Sequence, residues 1–198
     1  MEKFGLVDIL NENSTIIKDV RYATTNNFTG KILYKENFGL FAVPSLAEAI
    51  LNVNEYLRSL LPGYHIVIFD AARPYSIQKE MFEIVKGTSW EPYIANPYGQ
   101  KTGGFHNYGL AVDMSIADAN GHLLDMGTEY DAFNPSAHSF NERILVTEGK
   151  ITKEAYSNRM LLYMITGKYG LYPHPFEWWH FQWDYDENTK GLYPLLDF

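Results

Sequence analysis

Two short stretches of this chain carry the side-chain types that bind metal ions. One runs Gly104-Phe105-His106-Asn107-Tyr108-Gly109-Leu110-Ala111-Val112-Asp113, and the other is Glu177-Trp178-Trp179-His180. Two imidazoles and one carboxylate make a normal catalytic zinc set, with the fourth position left for water. His106 and Asp113 are seven apart, so on a regular strand they point to opposite faces. A bend or bulge brings them to one side, and Gly109 is the residue that permits it. Glu177 and His180, three apart, meet the same parity problem. It disappears if the strand starts at Trp178, because Glu177 then sits on the preceding turn and can swing over a metal.

Each of these residues also has a plainer reading. A histidine beside aromatics is more often packed in a core, and His65, within an apolar run, is read that way. His122, His138 and His174 read as loop residues. For His106 with Asp113 alone, a metal site and a structural pair stand about even. A carboxylate in an apolar strand tilts that balance toward a site, since an unpaired buried charge is costly. Trp178 and Trp179 read as core and wall. Arg73 either caps a helix, pairs with a carboxylate, or emerges from the end of a buried strand into a cleft.

These residues need elements to hold them. A helix is predicted over 46–61, with Ser45 and Glu48 as a capping box and Pro62-Gly63 as the stop. Its apolar positions, Leu46, Ala49, Ile50, Val53, Leu57, Leu60 and Leu61, recur at three and four and mark one buried face. Tyr64 to Phe69 reads as a short buried strand that runs into Asp70-Ala71-Ala72-Arg73-Pro74, and a helix follows over about Ser76 to Val85. Residues 87–104 are rich in Gly, Pro, Asn and Thr and read as loop. A bent strand is expected from Phe105 to Ile116, then a long excursion over 118–150 near the site. A second long helix covers about 152–167 with Thr152 as its N-cap. Pro173 and Pro175 forbid a helix before 177–185, where Trp179, Phe181 and Trp183 alternate with His180, Gln182 and Asp184. The expected architecture is α+β over residues 1–198 as a single domain, a mainly antiparallel sheet flanked by helices with the zinc site in a cleft.

Composition narrows the alternatives. The 198 residues suit one core, and 46% hydrophobic with 20% charged residues is ordinary for a globular chain. A net charge of −8 with no Lys/Arg cluster argues against nucleic-acid binding, which needs a basic footprint. The absence of cysteine excludes a disulfide scaffold, a thiol nucleophile and a Cys-ligated zinc. No apolar run reaches the ~18 residues of a membrane span. The N-terminus lacks the apolar segment of a signal peptide, so a cytoplasmic location is expected, or a periplasmic one for a chain whose signal has been removed.

His-x6-Asp with its internal Gly and Ala, followed much later by Glu-x-x-His, resembles the zinc D,D-peptidases. That group holds D-alanyl-D-alanine dipeptidases of the vancomycin-resistance type, D,D-carboxypeptidases and some phage endolysins. The likeness to the dipeptidase branch continues in Arg21-Tyr22-Ala23-Thr24, Asn27-Phe28-Thr29-Gly30, Asp70 to Pro74, Asp125-Met126-Gly127-Thr128 and Glu177 to Phe181. The resemblance implies that His106, Asp113 and His180 ligate Zn²⁺, that Glu177 is the catalytic base, and that Arg73 steadies the developing oxyanion. It also implies Tyr22 and Asp131 around the ends of a small D,D-dipeptide such as D-Ala-D-Ala. The family's usual serine two residues before the first histidine is Gly104 here, so a hydroxyl contact to substrate is missing.

The chemistry so implied is hydrolysis of a peptide bond by a metal-activated water, whose pKa falls from ~15.7 toward ~7 on zinc. Glu177 would accept its proton and pass it to the leaving amine. Two rivals stand beside this reading. One is a carboxypeptidase or peptidoglycan endopeptidase that uses the same metal site in an open cleft on longer peptides. The other is a non-catalytic peptide- or sugar-binding module with a vestigial metal site, against which Glu177 speaks, since a structural zinc has no use for a base.

Overall fold

The computed structural model describes residues 1–10, 14–35, 38–99, 102–183, 186 and 188–198. Among the described residues seven strands are formed: β1 (Val7–Asp8), β2 (Ile17–Lys18), β3 (Phe41–Ala42), β4 (His65–Asp70), β5 (Ala111–Ala117), β6 (Tyr172–His174) and β7 (Glu177–Gln182). The helices are α1 (Pro44–Leu60), α2 (Tyr75–Val85), α3 (Glu142–Thr147) and α4 (Lys153–Gly167). Five strands make one sheet in the order β2-β4-β5-β7-β6, and β1 pairs with β3 in a small second one. Only β2 with β4 is parallel; the other three pairings in the large sheet are antiparallel. The fold is α+β, as the mixed order of helices and strands predicts.

The apolar stripe of α1 decides where that helix lies. Leu46, Ala49, Ile50, Val53 and Leu57 are buried, and the helix contacts β4 and α4. Leu60, which the same periodicity places on the stripe, is 42% exposed at the helix end. The start of α1 also departs from expectation. Pro44 takes the first position, where its missing N–H costs nothing, and no side chain caps the Val43 N-cap. The Ser45–Glu48 box is therefore not what begins the helix. In α4, Thr152 does act as N-cap, accepting from the Ala155 amide at 2.9 Å.

Central strands are covered on both sides. All of β5 is buried, and so is β4 from Ile66 onward. His65, expected in the core, is half-buried at the outer end of β4, away from the cleft. The bent strand expected from Phe105 splits in two. Phe105–Tyr108 is a 3-10 turn, Gly109 ends it with φ +70°, and β5 runs straight from Ala111. His106 is thus not on the strand at all, and one tight turn rather than a bulge solves its parity with Asp113. A Cβ on Gly109 would lie 2.7 Å from Leu6 Cδ2, so close approach and the left-handed conformation both select glycine.

The β6–β7 hairpin shows a similar shift. Glu177 is the first residue of β7, opposite His174, rather than a turn residue. The register slips between Pro173 and His174, and that irregularity brings Glu177 to the side of His180. Trp178, Trp179 and Phe181 are buried, as are His180 and Gln182, so both faces of β7 are covered, and Glu177, Trp179, His180 and Gln182 line the cleft. Trp183 is half-buried, and Asp184 lies outside the described residues. Among the described residues no helix is long and apolar enough to cross a membrane.

Candidate active site

Asp113 leaves β5 beside Asp70 of β4 and His180 of β7, because the register pairs it with both. The 3-10 turn brings His106 over the same strand end. Asn107 holds that turn: its Oδ1 accepts from the Gly104 amide at 2.9 Å and its Nδ2 donates to the Arg73 carbonyl at 2.9 Å. Three ligand atoms result within 4.8 Å of one another, on His106, Asp113 and His180, all buried. His106 Nε2 lies 3.2 Å from Asp113 Oδ1 and 3.1 Å from His180 Nδ1, which is itself 3.3 Å from Asp113 Oδ1.

The outer hydrogen bonds say what those three atoms present to one another. His106 Nδ1 donates to the Ala71 carbonyl at 2.7 Å, and His180 Nε2 faces Gln182 Oε1 at 3.3 Å. In neutral rings the protons therefore sit on the outward nitrogens, a tautomer choice fixed by the partners. His106 Nε2, His180 Nδ1 and Asp113 Oδ1 then converge on one point, where a shared proton or a cation satisfies all three. The donor set fits a divalent metal with nitrogen and oxygen preference such as zinc. The other carboxylate oxygen of Asp113 is held separately, by the Tyr130 hydroxyl at 2.9 Å and by Arg73 Nη2 at 3.7 Å.

Glu177 stands beside this group, its Oε2 3.7 Å from His180 Nδ1. Burial, reinforced by the negative charges of Asp113 and Asp131, raises its pKa well above the usual carboxylate range. Burial works against ionised Asp113 too, yet the two histidines hold its carboxyl well below the usual range. Burial lowers His180, which favours the neutral ring a metal ligand needs.

Arg73 is placed by β4 and the turn after it. Its Nη2 and Nε meet Asp70 Oδ2 at 2.7 and 2.8 Å, and its Nη1 donates to Gln78 Oε1 at 2.9 Å. Although burial opposes its charge, Asp70 and its other neighbours raise the guanidinium pKa well above the ordinary value. Tyr22 lies across the cleft, under the Arg73 guanidinium at 5.2 Å, and its hydroxyl donates to Asp131 Oδ1 at 3.1 Å. Asp131 also accepts from the Phe28 amide at 3.1 Å and adopts φ +61°, a conformation a non-glycine residue holds only when its surroundings demand it. Burial pushes its carboxyl up to about 7.

All seven residues singled out in the sequence thus line one cavity of about 630 Å³. The structure adds others that the sequence did not mark. Tyr130, Asp70, Gln78 and Gln182 hold the first group, while His174, read as a loop residue, is on β6 and lines the cavity. Burial first, then the charge of His180, lowers His174 to about 3. Asp70 stood in a motif already noted, but a lone Tyr or Gln carries no signal of its own. His122 is exposed beside Asp118, and His138 meets the Tyr93 hydroxyl at 3.2 Å, so neither joins the three-donor group.

Fold and site together define a class, the α+β proteins that gather a possible metal set and a half-buried acid in one cleft. The chain belongs to the D-ala-D-ala dipeptidase family of M15 peptidases, whose profile matches residues 3–193. A D-alanyl-D-alanine dipeptidase of Escherichia coli (strain K12) is 28% identical over 181 residues, 90% of this chain and 82% of that protein. One of Enterococcus faecium is 27% identical over 180 residues, 82% of this chain and 83% of that protein. A solved structure described as the LdcB LD-carboxypeptidase aligns over 95% of this chain and 71% of that one, with a TM-score of 0.47 and 19% identity.

Proposed function

We propose that this chain is a zinc-dependent peptidase that hydrolyses a small free D,D-dipeptide, D-Ala-D-Ala or a near analogue. The observation that carries the reading is the convergence of three metal-binding atom types, His106 Nε2, Asp113 Oδ1 and His180 Nδ1, within 3.1–3.3 Å of one another. His106, Asp113 and His180 would hold the zinc. When bound, zinc supplies a Lewis acid and an acidified water. Family membership and the dipeptidase names of the relatives support the substrate.

The chain's own groups account for the rest. Glu177, raised in pKa and beside the ligand set, takes the proton of the attacking water as its oxygen adds to the scissile carbonyl carbon. It returns that proton to the amine as the C–N bond breaks. Arg73, kept charged by Asp70, donates to the oxygen on which negative charge grows. Asp131 and Tyr22 meet the dipeptide's ammonium at the other end of the cleft. Gly104 offers no hydroxyl for the carboxylate end, which loosens selection among small dipeptides.

A second reading has one observation in its favour. The cavity of about 630 Å³ lies in the range that holds drug-sized ligands, more room than two alanines fill. It suits a carboxypeptidase or endopeptidase acting on longer peptides. Rates on D-Ala-D-Ala, its N-acetyl form and a tripeptide ending in D-Ala-D-Ala separate the two. The dipeptidase reading expects the free dipeptide to be cleaved far faster, because acetylation leaves half-buried Asp131 without its cation. Comparable rates on all three overturn it in favour of the second.

A further inference from the structure

Arg159 on α4 is fully buried, and a buried guanidinium must have its donors satisfied. Among the described residues no carboxylate forms an ion pair with it; Glu142 and Asp125 act on it only through space. Its partners are three backbone carbonyls. Nε donates to Met126 O at 2.7 Å, Nη2 to Ser136 O at 2.8 Å and Nη1 to His138 O at 3.3 Å. Those carbonyls stand at the two ends of one segment, 126–138, so a single planar fork ties its neck shut. The arrangement resembles an Ω-loop closed by a side chain from outside.

What lies between the tied ends is the near wall of the cleft. Tyr130 reaches Asp113 Oδ2 at 2.9 Å, Asp131 receives Tyr22 and the Phe28 amide, and Phe133 lines the cavity. Asp131 sits there at φ +61°, a strained state that persists only if the loop is held from elsewhere. Neighbouring ties reinforce the hold. Asn158 Nδ2 donates to Asp125 O at 2.8 Å, and Trp178 Nε1 donates to Thr128 Oγ1 at 2.8 Å with its ring 5.9 Å from the Arg159 guanidinium. Arg159 itself does not line the cavity.

We propose that Arg159 is a positioning residue: by gripping both ends of segment 126–138 it sets Asp131 where the ammonium of a dipeptide is read. This rests on the assignment of Asp131 given under the proposed function. Lysine cannot replace it, because a single ammonium on a flexible stem does not span carbonyls at 126, 136 and 138 as a rigid fork does.

The test uses the zinc-loaded full chain as wild type, Arg159→Lys, Arg159→Met and Asp131→Asn. Two quantities are read: the ratio of kcat/KM on D-Ala-D-Ala to that on N-acetyl-D-Ala-D-Ala, and hydrogen exchange of amides in 126–138. Arg159→Lys is expected to lower the ratio by at least about tenfold, through KM for the free dipeptide. Exchange should quicken in 126–138 while β4 and β5 keep their protection. A wild-type ratio with wild-type exchange overturns the proposal. So does an equal fall on both substrates with exchange quickened throughout, which marks a merely structural role. If Arg159→Met fails to fold, Arg159→Lys carries the test alone. If Asp131→Asn keeps the wild-type ratio, the ammonium assignment has failed, and exchange then decides: local quickening upholds the clamp and unchanged exchange refutes it.

Discussion

Glu177 and Asp131 are both carboxyls pushed upward by burial, yet the proposed reaction asks different things of them. Glu177 must take a proton and give it back, so Glu177→Gln should lower kcat by about 10²–10⁴-fold while zinc content stays at wild type. Metal analysis beside steady-state kinetics checks both halves, and loss of the metal would make Glu177 a ligand instead. Asp131 must be charged to meet an ammonium. With its carboxyl at about 7, kcat/KM on the free dipeptide should fall as pH drops through 7, and Asp131→Asn should remove that limb. Stability runs the other way. A folded pKa raised above the unfolded value near 3.8 contributes most below about pH 4 and is lost as pH rises through 7. Denaturant midpoints should therefore decline less between pH 5 and 8 in Asp131→Asn than in wild type. Arg73→Lys keeps a charge but loses the fork that binds Asp70 and Gln78, and its effect should fall on kcat; a change confined to KM would place Arg73 on substrate binding.

At the scale of elements, what is local was legible. The stripe of α1 and the Thr152 cap of α4 rest on residues within a few positions of each other, and both are formed. The candidate site was legible for another reason: His, Asp and Glu are scarce in apolar stretches, so His106, Asp113, Glu177 and His180 stand out by type, and the chain brings them into one cleft. Their geometry was not. The sequence suggests a bent strand through Gly109, whereas the chain makes a 3-10 turn that depends on Asn107 bonding to Arg73, 34 positions away. Pro44 overrode the Ser45–Glu48 box because its fixed φ already suits a helix start. His174 and Arg159 gave no signal because their roles come from tertiary neighbours. Gly109 offers a direct check. Gly109→Ala forces a Cβ into the left-handed region and toward Leu6, which should destabilise by about 1–3 kcal/mol in urea titration. A midpoint equal to wild type would mean that this turn is not constrained.

For the whole molecule, the sheet is less a scaffold beside the site than the site's own frame. Asp70, Asp113 and His180 lie side by side across β4, β5 and β7, and loops from both ends of the chain close over them. If His106, Asp113 and His180 hold a metal as proposed, metal binding and stability are coupled. At a free zinc concentration 100-fold above its dissociation constant the folded state gains about 2.7 kcal/mol, and chelation should lower Tm accordingly. The most direct measurement is D-alanine release from D-Ala-D-Ala by one preparation assayed as isolated, after chelation, and after return of zinc. The account predicts hydrolysis that vanishes on chelation and returns as zinc approaches one ion per chain, with no recovery in a His180→Ala variant. Hydrolysis that survives full removal of the metal, or a chain that binds zinc at His106, Asp113 and His180 and leaves the dipeptide intact, would contradict it.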